Sequence, residues 1–318
     1  MAHGVGSETN FAFCGNRWGV APAGVQAAAA FARIPGVVDA LYQPFPIPGA
    51  ARGHIWHHVP ETRRPRHFHA EPELNLIAAG RASFGVGDAT ITVAAGDLLW
   101  WPPGLDHVLL DASLDFDLYV IGLTPGFSER VLGNTASAAT TGAARFRLNS
   151  DHLVRFAEMC AAPIAVGATA DVERQVGDFW RDAHRLRAVA HDRHSLTQRT
   201  LEAVLARPDL KRSDLAQLAR GHVTDVSRHF RQDIGLTLTT YRTRLRLLRF
   251  IDLVDGGHRF LPAAEKAGFG SYSQCHRVFQ HTFGCTPRLF FGPGLREEMR
   301  DRFDPWPAVE LHARDRRS

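Results

Sequence analysis

Arg228-His229-Phe230-Arg231-Gln232-Asp233-Ile234-Gly235-Leu236-Thr237 is matched 49 residues downstream by Arg277-Val278-Phe279-Gln280-His281-Thr282-Phe283-Gly284-Cys285-Thr286; both read R-x-F-x-x-x-x-G-x-T. A pattern that recurs at a fixed offset marks one structural unit used twice. In each copy the apolar residues fall four apart, Val226, Phe230 and Ile234 in the first and Cys275, Phe279 and Phe283 in the second. That spacing makes one buried helix face and leaves the opposite face polar. Gly235 and Gly284 stand where a helix end calls for a left-handed residue, and Thr286-Pro287 reads as an N-cap followed by proline at the first position of a new helix.

Working outward, a short helix is predicted before each copy, Ser213 to Ala219 and about Leu261 to Ala267, with turns at Gly221-His222 and Gly268-Phe269-Gly270. Helix, tight glycine turn and second helix form the helix-turn-helix pattern, whose second helix enters the major groove. Arg228 and Arg277 occupy matched positions, and arginine can pair bidentately with guanine there. Between the copies, Leu238 to Val254 reads as one helix carrying Arg242, Arg244, Arg246 and Arg249. Its length of about 25 Å suits a rod that holds two reading helices near the ~34 Å spacing of successive major-groove faces.

Residues 209–291 resemble the two-unit DNA-binding domain of the AraC/XylS regulators. The resemblance rests on Leu215-Ala216, Arg228-His229-Phe230, Gly235, Tyr241, Arg244 to Arg246, Ala264, Gly268-Phe269, Ser273, Arg277-Val278-Phe279, Phe283-Gly284 and Thr286-Pro287. It implies base-facing Thr224, Ser227 and Arg228 in the first unit and Ser273, His276 and Arg277 in the second, with Arg231 among the residues over nearby bases or phosphates. Two positions depart from the pattern: His222 stands where a serine-like cap is usual, and Pro262-Ala263 replaces a larger aliphatic before Ala264. The second departure leads to the expectation of a looser, less specific second unit.

Charge agrees with a polyanion partner. The whole chain carries +4, yet residues 205–292 hold fourteen Lys/Arg against seven Asp/Glu. A merely solvated basic face would explain the charge but not the repeat. The four cysteines, Cys14, Cys160, Cys275 and Cys285, lack CxxC spacing, which fits a reducing compartment. The first residues show no secretory pattern, and Ala27 to Ala30 is too short for a membrane span. A cytoplasmic protein without a membrane partner is expected.

Upstream, short β-type runs are punctuated by Gly, Asp and Pro: Leu74 to Ile77, Ala82 to Val86, Thr90 to Val93, Leu98 to Trp101, Val108 to Leu110 and Phe116 to Leu123. They predict a small antiparallel barrel or sandwich. Helices are predicted near Gly24 to Arg33, at Asp151 to Ala161 and at Asp171 to Ala190, with Asn134 to Ala144 as a loop. The last helix carries a stripe of Val172, Val176, Phe179 and Ala183, assigned to packing on its own barrel ahead of a homodimer contact.

The barrel region also holds His67-x-His69-x-x-x-Glu73-x6-Gly80 and Gly96-x5-Pro102-x-Gly104-x-x-His107. On a regular strand His67, His69 and Glu73 share one face, and His107 completes three nitrogens and one oxygen, a set that suits Fe, Mn, Ni, Co or Zn. Both stretches resemble the two motifs of the cupin superfamily, with all four metal-ligand positions filled, which implies a small β-barrel. In AraC-type regulators such a barrel usually binds an effector, and these residues often persist as polar lining or structural histidines. An effector pocket without metal is the favoured reading, a divalent transition metal at His67, His69, Glu73 and His107 the other. Trp56, Trp100, Trp101, Phe84 and Tyr119 are candidate pocket walls.

The expected architecture is α+β and multidomain. It comprises an N-terminal extension (1–52), a cupin-like antiparallel β-barrel (53–125), a helical connector (126–204), an all-α domain of two helix-turn-helix units joined by a long helix (205–292) and a tail (293–318). The function implied is that of a sequence-specific transcription regulator and not an enzyme, with double-stranded DNA, a small-molecule effector and RNA polymerase as partners. The alternative is a metal-dependent cupin enzyme, a dioxygenase or isomerase, fused to a DNA-binding module. It is disfavoured because no acid, base or cosubstrate site is recognisable beyond the four ligands. A constitutive architectural DNA binder is disfavoured by the sensor-like barrel.

Overall fold

The computed structural model describes residues 41–47, 51–58, 64–127, 144–166, 169–185, 195–296 and 299. The predicted helix near Gly24 to Arg33, Cys14, most of the predicted loop, the end of the second connector helix and nearly all of the tail lie outside them.

The N-terminal half is built from β1 (Leu41–Tyr42), β2 (Gly53–His58), β3 (His67–Phe68), β4 (Glu73–Ala79), β5 (Arg81–Val86), β6 (Ala89–Ala94), β7 (Asp97–Trp101), β8 (Val108–Ala112), β9 (Asp117–Leu123) and β10 (Ala144–Arg147). One sheet runs β10-β7-β4-β9-β2, a second runs β6-β5-β8, and β1 pairs in parallel with β3. Among the described residues no strand pairing closes these sheets into a ring, so the expected barrel is an open pair of facing sheets. The chain changes sheets at Gly80 (φ 71°) and Gly96 (φ 85°), which places sequence neighbours β4 and β5, and again β6 and β7, in different layers. Left-handed backbone of this kind is open to glycine at little cost.

The space between the sheets is filled by Trp56, Ile77, Trp101, Leu118 and Val120 from one layer and Ala82, Phe84, Val86 and Val93 from the other. Successive residues of a strand point to opposite faces. Leu99 and Trp101 accordingly face this interior, while Leu98 and Trp100 face outward onto α1 (Ser150–Val166) and α2 (Thr169–Arg185). Phe156, Cys160, Val176, Phe179, Trp180 and Ala183 cover that outer face. The larger sheet is thus buried on both sides, which is why Leu74 to Ile77 of β4 and Leu98 to Trp101 of β7 carry apolar residues on both faces. Two assignments change. Trp100 and the partly buried Tyr119 belong to the helix-covered face and do not line the interior, and β10, inside the predicted connector, extends the larger sheet.

The C-terminal half comprises α3 (Ser195–Ala206), α4 (Arg212–Leu218), α5 (Val223–Ile234), α6 (Leu238–Asp255), α7 (Phe260–Lys266), α8 (Tyr272–Phe283) and α9 (Pro287–Phe290). Leu196, Leu201 and Val204 of α3 pack with Leu215, Val226 and Phe230, so the helical half begins at Ser195, ahead of the expected 205. Gly235 (φ 76°) and Gly284 (φ 70°) end α5 and α8 in the left-handed region, and Thr286 caps α9 with Pro287 in its first turn. His222 is the N-cap of α5 without a side-chain cap bond, whereas Ser271 caps α8 by accepting from the Gln274 amide. Pro262 falls in the first turn of α7, where the amide it lacks has no intrahelical acceptor. Ala263 and Ala264 are fully buried. The packing therefore gives no reason for a looser second unit. Among the described residues no helix is long and apolar enough to cross a membrane.

The halves meet closely. The β5–β6 turn lies against the end of α5: the Asp88 amide donates to Gly235 O at 2.9 Å, and a Cβ on Gly87 would stand 2.2 Å from that same oxygen. Only bare backbone fits on both sides of this contact.

Candidate DNA-reading helices and a histidine–carboxylate cluster

The repeated segments form α5 and α8. Val226, Phe230 and Ile234 are buried on one face of the first, and Cys275, Phe279 and Phe283 on the matching face of the second. The opposite faces present Thr224 and Arg228, and Ser273 and Arg277, all exposed, with Ser227 and His276 half-buried beside them. Arg228 is held by Asp225 on its own helix at 2.9 Å. The Ser227 hydroxyl accepts from Arg212 and donates to Val223 O. Arg231, also on α5, is engaged by the β half: its guanidinium pairs with Asp88 at 2.9 Å. The aspartate thus stands in a cleft of about 670 Å³ that Ser227, Arg228 and Arg231 also line. Connecting helix α6 has 18 residues and spans about 27 Å.

Inside the β half, His67, His69 and His107 form a buried cluster, their ligand-capable atoms within 4.8 Å of one another. The expected single strand is not what gathers them. His67 lies in β3, His69 just beyond it, and Glu73 opens β4 after a turn. They converge because the backbones of His67 and His107 pair in an antiparallel bridge while Glu73 pairs in register with Trp101.

Protonation follows from the partners. His67 Nδ1 faces Pro65 O at 2.8 Å, His69 Nδ1 faces Glu71 O at 2.6 Å, and His107 Nδ1 faces Leu105 O at 3.4 Å. Carbonyls only accept, so each Nδ1 carries a hydrogen and each ring turns its Nε2 edge away from these carbonyls. His69 Nε2 and His107 Nε2 both meet Glu73 Oε2, at 2.9 and 3.2 Å. His67 Nε2 is buried and finds no hydrogen-bond partner among the described residues. Burial pushes His67 well below the usual histidine range, and the neighbouring His107 adds to the shift. For Glu73 burial acts upward, but the charge and hydrogen bonds of His107 and His69 outweigh it and hold the carboxyl well below its usual range. Glu73 Oε2 and the three histidines therefore converge on one buried point, at which His67 Nε2 is the atom with no hydrogen-bond partner among the described residues.

The surroundings fix that point. Trp101 Nε1 can only donate, and it bonds Asn75 Oδ1 at 2.6 Å, which turns Asn75 Nδ2 toward Glu73 Oε1 at 2.5 Å and leaves Oε2 for the histidines. Trp101 also stacks on His107 at an interplanar angle of 11°, and Phe45 meets His69 edge-on. Next to His107, Asp106 is buried between Arg66 (2.8 Å) and Arg244 of α6 (2.5 Å). Burial opposes its charge, but the two guanidiniums, Arg244 first, hold its carboxyl below the usual range. Sequence reasoning passed over Asp106, Arg66 and Asn75, and it read Arg244 as part of a basic rod and of the family pattern, without a partner. No spacing marks a residue whose partner lies 138 positions away.

Residues 51–175 match the family model of the AraC-like ligand binding domain, and residues 215–292 match that of a helix-turn-helix domain. No curated protein matches the chain. Among solved structures, the unsaturated fatty acid-bound wild-type ToxT of Vibrio cholerae is similar at 12% identity over 78% of this chain and 98% of its own, with a TM-score of 0.38. The AraC-like transcriptional activator CuxR is similar at 12% identity over 62% of this chain and 73% of its own, with a TM-score of 0.27. The oxalate decarboxylase of Bacillus subtilis, with its Mn(II) centers, is similar at 23% identity over 26% of this chain and 23% of its own, with a TM-score of 0.22. With a ligand-binding model and then a helix-turn-helix model matched along more than half of its length, the chain belongs to the AraC family of transcription regulators.

Proposed function

We propose that this regulator reads a specific duplex sequence with α5 and α8 in successive major-groove segments, under control of a ligand held in the β half. The duplicated helix carries the reading: each copy buries a phenylalanine, Phe230 or Phe279, and sets the matched arginine, Arg228 or Arg277, on the exposed face. Selection of bound sequences from a random duplex pool at near-physiological salt is expected to enrich two blocks about one helical turn apart. Arg228→Ala and Arg277→Ala are each expected to cost about 1–3 kcal/mol on the enriched site while relaxing preference at one block. Since both units are closed and packed, losses of similar size are expected. Unchanged specific binding in both variants would overturn the docking of these helices.

A second reading concerns the ligand. Donor set and geometry favour a divalent transition metal at His67, His69, His107 and Glu73: the three imidazoles lie together, each turns its Nδ1 to a backbone carbonyl, and the buried His67 Nε2 has no hydrogen-bond partner among the described residues. Elemental analysis of the purified full chain is expected to show about one metal equivalent, and His67→Ala far less. A chain without metal after loading and gel filtration would sink this reading and leave the cluster as a proton-sharing lining. Phe45 and Trp101, packed on His69 and His107, crowd the cluster and favour a regulatory over a catalytic use.

A further inference from the structure

The strands that present the histidines have a second face. Phe68, between His67 and His69, is fully buried against the helical half, in one cluster with Leu247, Phe250 and Phe283. Its ring lies under the Arg244 guanidinium at 4.6 Å. Asp106, next to His107, takes the same Arg244 in an ion pair. Backbone bonds tie the two segments to each other: His67 and His107 exchange amide–carbonyl bonds of 3.1 and 3.0 Å, and the Gly104 amide donates to His69 O at 3.0 Å. Gly104 O in turn accepts from Arg244. Inward side chains thus form the cluster, while their immediate neighbours hold α6. Beyond this lock, the Asp88 contact with Arg231 depends on the same docking of the two halves.

We propose that Asp106 and Arg244 form a relay by which occupancy of the histidine–carboxylate site by a divalent metal sets the operator affinity of the helical half. This rests on the metal reading above and names the regulation of that site. A cation drawn among His67, His69 and His107 acts on the two segments that carry Phe68 and Asp106, and α6 carries the change to α5 and α8. Asp106 is a positioning residue here, since it touches neither metal nor DNA. A coupling between two sites must be reciprocal, so operator DNA changes metal affinity by the factor with which metal changes operator affinity.

The test uses the full chain, stripped of metal and then loaded with Zn(II) or, separately, Mn(II), and the duplex enriched by selection. In the unaltered chain metal is expected to change operator affinity by about fivefold or more, within the usual range of such couplings. Asp106→Asn, nearly isosteric, is expected to bind metal stoichiometrically but to show a shift below about twofold in both directions of the cycle. Arg244→Met attacks the lock from the other side and serves if Asp106→Asn does not fold by circular dichroism. A chain that binds neither metal overturns the reading and the relay together. Metal bound without any change in operator affinity overturns the relay alone, as does a full shift retained by a folded Asp106→Asn or Arg244→Met.

Discussion

Phe279→Ala is expected to destabilise the second helix-turn-helix unit by about 3–5 kcal/mol, the range for truncating a fully buried phenylalanine. Phe279 is 0% exposed, and its ring lies 4.3 Å from that of Phe283, 5.2 Å from Phe290 and 5.8 Å from Phe250. These rings come from α6, α8 and α9, so the cavity left by alanine opens at the meeting point of three helices and no single side chain can collapse into it. Denaturant unfolding followed by circular dichroism measures the loss. Preference at the second operator block is expected to disappear in the same variant. Arg277→Ala, at an exposed position, separates the two roles: it is expected to lower operator affinity with little change in the unfolding midpoint. A loss of less than about 1 kcal/mol for Phe279→Ala would mean that the second unit is not packed as described.

The other large effect is expected in the β half. Trp101→Ala removes a fully buried indole that fills the interior, stacks on His107 and, through Asn75, aims Glu73. Cavity formation alone sets a cost of about 3–5 kcal/mol. Trp101→Phe keeps a ring on His107 but strips the donor from Asn75 Oδ1, and leaving that buried acceptor unpaired costs about 1–3 kcal/mol. Unfolding of both variants distinguishes packing from hydrogen bonding, and metal titration reports on the cluster. Trp101→Phe is expected to retain the fold while binding metal more weakly, because Asn75 no longer fixes the carboxylate. Unaltered metal affinity in a folded Trp101→Phe would show that the Trp101–Asn75–Glu73 chain does not orient the site.

Much of the helical half was legible because its signals are local. A four-residue apolar spacing, a glycine at a left-handed position and Thr286-Pro287 each bear on a few neighbours, and α5, α8 and α9 formed where they indicated. The β half was less legible. Strand β2, Gly53–His58, holds three histidines that blur its alternation, and β1, β3 and β10 owe their strand character to distant partners. Alternation separates Trp100 from Trp101 but cannot say which side faces the second sheet, since both sides of the larger sheet are apolar and buried. Spacing found His67, His69, Glu73 and His107 as a set. It could not show the carbonyls that take the Nδ1 hydrogens or the Asp106 bridge, because these depend on how turns and helices fold back from elsewhere in the chain.

The seam between Gly87 and Gly235 bears on how such a protein can be recombined. A side chain on Gly87 would strike the backbone of Gly235, and one on Gly235 would strike Val86 O in the same turn, so the two positions constrain each other although 148 positions separate them. A helical half grafted onto a foreign sensor keeps its caps and its arginines wherever it goes, but it keeps this registration only if the new sensor brings a glycine to the turn that meets Gly235. The join between modules in such a chimera is therefore specified less by the peptide that links them than by a single pair of missing side chains.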